Sequence, residues 1–162
     1  MKIKLLILVA VTFVFFSCKK THNCAPFKSE PLSSVTFGTF AGRCAGNCFV
    51  RWRLDNTQLT SDTAQQYFTY NAYNYVPRIV LAQTKYDSVK FLLQEVPFEL
   101  LEVAEKTYGC PDCRDQGGCF IEVTKNDGTK YRSYIDTDDT SYPSEAVKIF
   151  QKQVQKVISM LR

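Results

Sequence analysis

Cysteine is the residue whose number and spacing in this chain point most directly to chemistry. Seven cysteines are present, and six of them follow position 20. Four of the six stand in two close pairs, separated by three residues and by two, and the remaining two lie far apart along the chain. The six are Cys24, Cys44, Cys48, Cys110, Cys113 and Cys119. Many disulfide connectivities are possible for six thiols, and spacing alone does not choose among them.

Three kinds of chemistry fit these thiols. In an oxidising compartment an even number of cysteines predicts structural disulfides, and bridges within the close pairs would leave Cys24 to bond with Cys119. A bridge within a close pair stabilises the fold by about 2 kcal/mol through the entropy that the unfolded chain loses, whereas one that joins the two pairs stabilises it by about 4 kcal/mol.

Alternatively, four thiolates from two close pairs can bind Zn²⁺ tetrahedrally. Those ligands would be Cys44, Cys48, Cys110 and Cys113.

The third chemistry is thiol–disulfide exchange by Cys110 and Cys113. Such motifs usually place the first cysteine at a helix N-terminus, which lowers its pKa. Here Pro111 favours an extended Cys110, and the carboxylates of Asp112 and Asp115 disfavour a thiolate. A Gly-Gly pair at 117–118 stands where the helix should run. Structural disulfides are therefore the first expectation, with exchange and zinc as alternatives.

The N-terminus indicates which compartment these thiols meet. Lys2 and Lys4 precede the run Leu5 to Phe16, in which only Thr12 is polar, and Ser17-Cys18 follow. Twelve residues are too few for a membrane-spanning helix, which needs about 20, and suit the apolar core of a signal peptide. The segment resembles a bacterial lipoprotein signal peptide with its lipobox cysteine at position 18.

The resemblance implies that residues 1–17 are removed and that Cys18 carries lipid. Residues 18–34 would then form a tether, and residues 35–162 a single globular domain. Lipoproteins kept at the inner membrane have Asp after the lipidated cysteine, whereas Lys19 and Lys20 stand here. The resemblance therefore implies an outer-membrane anchor. It also implies a domain that faces the periplasm, because no acidic surface-export stretch follows Cys18, although surface exposure stays open.

Net charge and histidine content disfavour two classes of function, nucleic-acid binding and histidine-dependent catalysis. Net charge falls from +4 for the whole chain to +2 once Lys2 and Lys4 leave with the signal peptide. This balance does not predict a nucleic-acid binder, which would carry a basic stripe. The only histidine is His22, in the tether. Mechanisms that need an imidazole base in the folded site are thereby disfavoured, so we predict no catalytic residue and no cofactor.

Hydrophobic periodicity predicts an α+β fold, with an antiparallel sheet of about five or six strands and helices packed on one face. The first two strands should form a hairpin around the Cys44–Cys48 turn. Asp87 is a candidate N-cap for a helix, Pro97 should open a second helix that runs to about Lys106, and Pro143 should open the last one. The predicted strands are 35–39, 49–54, 65–70, 79–82, 119–124 and 130–136.

The last two strands flank Asn126-Asp127-Gly128, which predicts a bulged hairpin with a three-residue loop. That register places Cys119, Ile121 and Val123 on one face, which we expect to be core. Glu122 and the rest of the other face should be mostly solvated.

The last helix should be amphipathic. Its lysines, Lys148, Lys152 and Lys156, are expected in solvent. Apolar residues recur every three or four positions and should pack on the sheet: Val147, Phe150, Val154, Val157, Ile158 and Leu161.

Aromatic residues form a weak candidate binding surface for a glycan or a peptide, although strand packing explains them equally well. They are Trp52, Tyr67, Tyr70, Tyr73 and Tyr75.

Two short motifs carry a second resemblance. Gly42-x-Cys44-x-Gly46-x-Cys48 follows a strand, and Gly109-Cys110-Pro111-Asp112-Cys113 precedes a hairpin. In outline, residues 34–160 resemble small cysteine-containing bacterial lipoproteins and domains of unknown function. The sequence thus predicts an outer-membrane-anchored, non-enzymatic binding domain, whose partners are the membrane, through its lipid, and an envelope protein or glycan.

Overall fold

The computed structural model describes residues 31–41, 48–62, 75–77, 79–137, 142 and 144–162. Within these residues the chain forms a seven-stranded sheet with the order β4-β3-β2-β1-β6-β7-β5. The strands are β1 (Leu32–Phe40), β2 (Phe49–Asp55), β3 (Leu59–Asp62), β4 (Ile79–Val80), β5 (Glu105–Tyr108), β6 (Gly118–Lys125) and β7 (Lys130–Asp136). The helices are α1 (Gln83–Val89), which continues into a 3₁₀ turn at Lys90–Leu93, a second 3₁₀ turn at Phe98–Leu101, and α2 (Glu145–Leu161).

The α+β class and the C-terminal helix are confirmed, but the sheet is larger than expected and mixed. All neighbouring strands pair antiparallel except β5 and β7, which are parallel. The predicted β1–β2 hairpin is present, with Phe40 opposite Phe49. Strand β3 was not predicted, and the expected strand at 65–70 lies outside the described residues.

The first and second predicted helices differ from the structure. α1 begins at Gln83, so Asp87 lies inside it and pairs with Lys90 at 2.9 Å instead of capping it. After Pro97 the chain makes only one 3₁₀ turn, Phe98–Leu101, and β5 begins at Glu105, where the predicted helix should still continue. Pairing with β7, a long-range contact, outweighs local helix propensity there.

The β6–β7 hairpin has the predicted register. Cys119 lies opposite Ile135 and Val123 opposite Tyr131. The amide N–H of Gly128 donates to the Lys125 carbonyl at 3.0 Å, and Gly128 has φ +86°, as the bulged three-residue turn requires.

Helix α2 covers one face of the sheet. Its N-cap Ser144 accepts a hydrogen bond from the Val147 N–H at 3.2 Å, and all six predicted apolar positions are buried. They join Val35 and Phe37 of β1 in the larger core cluster, together with Val89 and Leu92 from the α1 region.

The opposite face of the sheet is buried as well, although we expected it to be mostly solvated. Phe40, Phe49, Phe120 and Tyr134 form a second core cluster there, with Phe49 and Phe120 edge to face at 5.2 Å. Glu122 is only 3% exposed. The expectation failed because the polar residues of this face are interleaved with large aromatics from neighbouring strands.

Helix length gives one further observation. None of the helices in the described segments is long and apolar enough to cross a membrane.

Candidate functional site

The cysteine motifs meet at one end of the sheet. β1 ends there at Phe40 and β7 ends there at Asp136, while β6 begins there at Gly118, because these three residues lie side by side in the register. Cys48 immediately precedes β2 at the same end. We call this region, formed by Cys48 and the loop 109–117 with the adjoining strand ends, the disulfide end.

The closest cysteine pair is bonded as predicted. Cys110 and Cys113 form a disulfide with their Cα atoms 5.6 Å apart, and both residues are exposed. Cys48 is also disulfide-bonded. Cys24 and Cys44 lie outside the described residues, so the pairing of Cys44 with Cys48 stays a prediction. Cys18 also lies outside them.

Cys119 is a free thiol, which corrects the predicted bond between Cys24 and Cys119. The alternation of β6 places Cys119 on the α2 side of the sheet, in the same core cluster as Ile121 and Val123. Burial raises the pKa of the Cys119 thiol to about 12. The group is therefore a protonated core residue at neutral pH and unsuited to nucleophilic chemistry.

The zinc interpretation does not fit this arrangement. Cys110 and Cys113 are bonded to each other and Cys48 is already in a disulfide, so three of the four proposed ligands are not thiolates. Among the described residues, no group of three or more His, Cys, Asp or Glu side chains is placed to hold a metal ion.

The loop 109–117 is shaped by its own hydrogen bonds. The Asp112 carboxylate accepts from the Gly117 N–H at 3.1 Å. The Gln116 amide accepts from the Arg114 N–H at 2.7 Å and donates to the Cys110 carbonyl at 3.2 Å. Asp112 and Asp115 both have positive φ, 67° and 60°. These contacts explain the run of Asp, Gln and Gly residues, since short polar side chains and glycine tolerate left-handed turns.

A cavity of about 410 Å³ opens beside this loop. Phe40, Cys48 and Gln116 contribute to its lining, together with Thr137 and Arg162. The Arg162 guanidinium donates to the Thr39 hydroxyl at 2.6 Å on the same lining. Its volume lies within the range of about 300–1,000 Å³ typical of ligand pockets, and residues of both cysteine-bearing segments contribute to its wall.

The geometry around Cys110 does not activate a thiolate. Cys110 is followed by turns instead of a helix, so no helix N-terminus points at its sulfur. Its own N–H is directed to the Asp136 carboxylate at 3.2 Å. The absence of a helix after Cys110 agrees with the expectation from sequence, and the effect of the Asp112 and Asp115 carboxylates on a thiolate stays a prediction.

The two described members of the proposed aromatic surface, Trp52 and Tyr75, are not fully exposed. Trp52 is 4% exposed and stacks on Phe37 in the larger core cluster, with ring centroids 6.1 Å apart. Tyr75 packs against the cluster on the opposite face of the sheet, and its hydroxyl lies 2.8 Å from that of Thr60. Burial raises the pKa of Tyr75 above its ordinary value. Tyr67, Tyr70 and Tyr73 lie outside the described residues.

A buried ion pair was missed by sequence reasoning. Arg51 and Asp62 meet at 2.5 Å, with both side chains fully buried, and the Arg51 guanidinium lies 4.0 Å from the centre of the Phe49 ring. The Val76 N–H also donates to Asp62, at 3.3 Å. The alternation of β2 did place Arg51 on the same face as Phe49. Its burial could not be foreseen because Asp62 belongs to the unpredicted strand β3.

Comparison of the chain with protein-family models, with curated proteins and with solved structures finds no match.

Proposed function

We propose that this chain is a lipoprotein, anchored in the outer membrane through Cys18, whose folded part is a non-enzymatic binding domain held in shape by disulfides. The observation that carries the proposal is the oxidised state of Cys48 and of the exposed Cys110–Cys113 pair at one end of the sheet. Exposed disulfides persist in oxidising compartments and are reduced in the cytosol. This agrees with export by the N-terminal segment.

The disulfide end is the best candidate for the binding surface. It carries the 410 Å³ cavity, and both cysteine-bearing segments line it. Strand β1 has nine residues and is therefore about 30 Å long. β1 begins at Leu32, inside the predicted tether, whereas the disulfide end lies at Phe40. An envelope protein or glycan bound at the disulfide end would therefore be far from the point where the tether enters the domain.

A binding role is favoured over catalysis by the chemistry of the folded part. The sole histidine of the sequence, His22, precedes the described residues, and the free thiol of Cys119 is held protonated by burial. The exposed Cys110 and Cys113 are bonded to each other in a disulfide. The Cys110–Cys113 bond restrains the loop 109–117, whose Gln116 lines the cavity.

The deciding experiment is the intact mass of the chain expressed with its own signal segment in a diderm host. We expect a mass that corresponds to removal of residues 1–17 plus a lipid on Cys18. A Cys18→Ser variant should lose both the lipid and the membrane association. An unlipidated wild-type chain recovered from the soluble fraction would refute the anchor. Separation of inner and outer membranes then tests the location of the lipidated form.

Thiol–disulfide exchange is a second candidate, because Cys110 and Cys113 are both exposed. In such a reaction an incoming thiolate attacks one sulfur, the other leaves as a thiolate, and a second thiol of the reductant completes the transfer. Reduction of insulin by a dithiol reductant should then be faster with the wild type than with Cys110→Ser. Equal rates at the uncatalysed level would exclude this function and leave the structural role.

A further inference from the structure

The outward face of α2 combines apolar and basic side chains in one stripe. Ile149, Lys152, Lys156 and Met160 follow each other at intervals of three, four and four residues, which places them on one side of a helix. Ile149 is 51% and Met160 50% exposed, and both lysines are exposed between them. The buried face of the helix points the other way, so the stripe faces away from the sheet.

Among the residues that the structure describes, no acid pairs with the two lysines of the stripe. In the described part of the chain, no carboxylate lies within ion-pair distance of Lys152 or Lys156. Two acids contact other residues of α2: Glu145 pairs with Lys148 at 3.5 Å, and Glu95 accepts a hydrogen bond from the neutral Gln153 amide at 2.5 Å. Lysines four residues apart repel each other, so the row lowers helix stability unless an anionic partner lies against it.

We propose that the stripe lies on the anionic phospholipid headgroups of the membrane that holds the lipid anchor. This inference rests on the proposed function, because the anchor keeps the domain near a bilayer. Thirteen residues separate Cys18 from Leu32, which limits the extended tether to about 45 Å. Confinement within that distance makes a weak surface contact effective, as in any tethered interaction.

The composition of the stripe fits a lipid surface better than a protein partner. Mobile headgroup phosphates do not offer a fixed acceptor geometry. Flexible lysines act as point charges, so they can bind such phosphates without one. Ile149 and Met160 are long enough to enter the headgroup layer beside the lysines. The main apolar face of α2 is buried in the core. The stripe therefore touches only the surface of the bilayer, and its attraction to the headgroups weakens as the salt concentration rises.

The test uses the full lipidated chain in vesicles of phosphatidylcholine alone and of phosphatidylcholine with phosphatidylglycerol. An amine-acylating reagent is added, and the modification rate of each lysine is read by peptide mass spectrometry. We expect Lys152 and Lys156 to react several-fold more slowly in the anionic vesicles, and high salt to abolish the difference. Lys85, exposed on α1, is the matched reference and should react equally in both.

Equal reactivity of Lys152 and Lys156 in both vesicles would overturn the inference, and so would a slowing of Lys85 by the same factor. Protection in intact cells without protection in vesicles would also overturn it and indicate a protein partner instead. The intact mass of the same sample reports the lipid on Cys18. Failure of the anchor is thus distinguished from failure of the stripe.

Discussion

The backbone N–H of Cys110 donates to the carboxylate of Asp136, with Cys110 N and Asp136 Oδ2 3.2 Å apart. The two residues are 26 positions apart in sequence, so this bond fastens the disulfide loop to the end of β7. The Tyr142 hydroxyl lies 3.4 Å from the Asp136 carbonyl and 3.3 Å from the Gln151 amide oxygen. The disulfide end is thus connected to α2 through the last residue of β7.

Replacement of Asp136 by Ala should loosen the loop. The Cys110 N–H loses a charged acceptor, and we expect the free energy of unfolding to fall by about 1–3 kcal/mol. Hydrogen exchange at the Cys110 amide should become faster, while exchange in the β1–β2 hairpin stays as it is. The Asp136→Asn variant keeps an acceptor oxygen, so its free energy of unfolding should fall by less than that of Asp136→Ala. Unchanged exchange at Cys110 in the Ala variant would contradict the assigned role.

Removal of the Cys110–Cys113 bond should lower stability only modestly. The bond closes a very short loop, so the Cys110→Ser, Cys113→Ser double variant should lose about 2 kcal/mol in denaturant unfolding. A dithiol reductant should destabilise the wild type more than this variant, because the variant no longer contains the bond. Equal sensitivity of the two proteins to the reductant would show that this bond is not formed in solution.

Cys119 should make stability depend on alkaline pH. Its pKa is raised from 9.0 to about 12 in the fold, so the folded state holds the proton that the unfolded state releases. The resulting stability is fully present below pH 9 and is lost as the pH rises towards 12. The free energy of unfolding, measured from pH 8 to 11, should therefore fall more steeply with pH for the wild type than for Cys119→Ala. Parallel curves would mean that the thiol is not buried.

The same thiol should resist alkylation in the native protein. At neutral pH its thiolate fraction is lower by about a thousandfold than that of an ordinary cysteine. Iodoacetamide should thus label Cys119 only after denaturation. Rapid labelling of Cys119 under native conditions would place it at the surface, contrary to the structure.

The Arg51–Asp62 pair should tolerate joint replacement better than single replacement. Asp62→Ala takes the carboxylate from a fully buried guanidinium, and we expect a loss of about 3–5 kcal/mol. Arg51→Met combined with Asp62→Leu should recover part of that loss, since no buried charge remains. Urea unfolding of the three proteins tests both statements. A single variant as stable as wild type would show that the pair is solvated.

Glycine positions offer a test of the sheet itself. A Cβ at Gly38 would overlap the Val50 carbonyl oxygen on the neighbouring strand, so Gly38→Ala should destabilise the protein severely. At Gly128 a Cβ meets nothing within 4 Å, although φ is +86°. Gly128→Ala should cost only the backbone strain, about 1 kcal/mol. Thermal unfolding of the two variants measures both losses of stability. A Gly128→Ala variant less stable than Gly38→Ala would contradict the packing of β1 against β2.

Local patterns were sufficient for the elements whose contacts are close in sequence. The hairpin register follows from Asn126-Asp127-Gly128 because loop length and left-handed glycine determine which residues of adjoining strands meet. The buried face of α2 follows from apolar residues such as Phe150 and Val154, because helical geometry alone brings them to one side. Spacing alone left the bond within Cys110-x-x-Cys113 as one of several possible pairings, and the structure shows that it forms.

Tertiary structure alone decided what depends on distant segments. β5 is a strand because β7 supplies its hydrogen bonds, and Arg51 is buried because β3 brings Asp62 to it. Cys119 lies on the face that was expected to be core, but only the structure shows that its thiol is free, and Trp52 packs in the same core cluster. Alternation assigned these residues correctly to faces of the sheet. Which faces are covered depends on contacts between residues far apart in the chain, and periodicity does not contain that information.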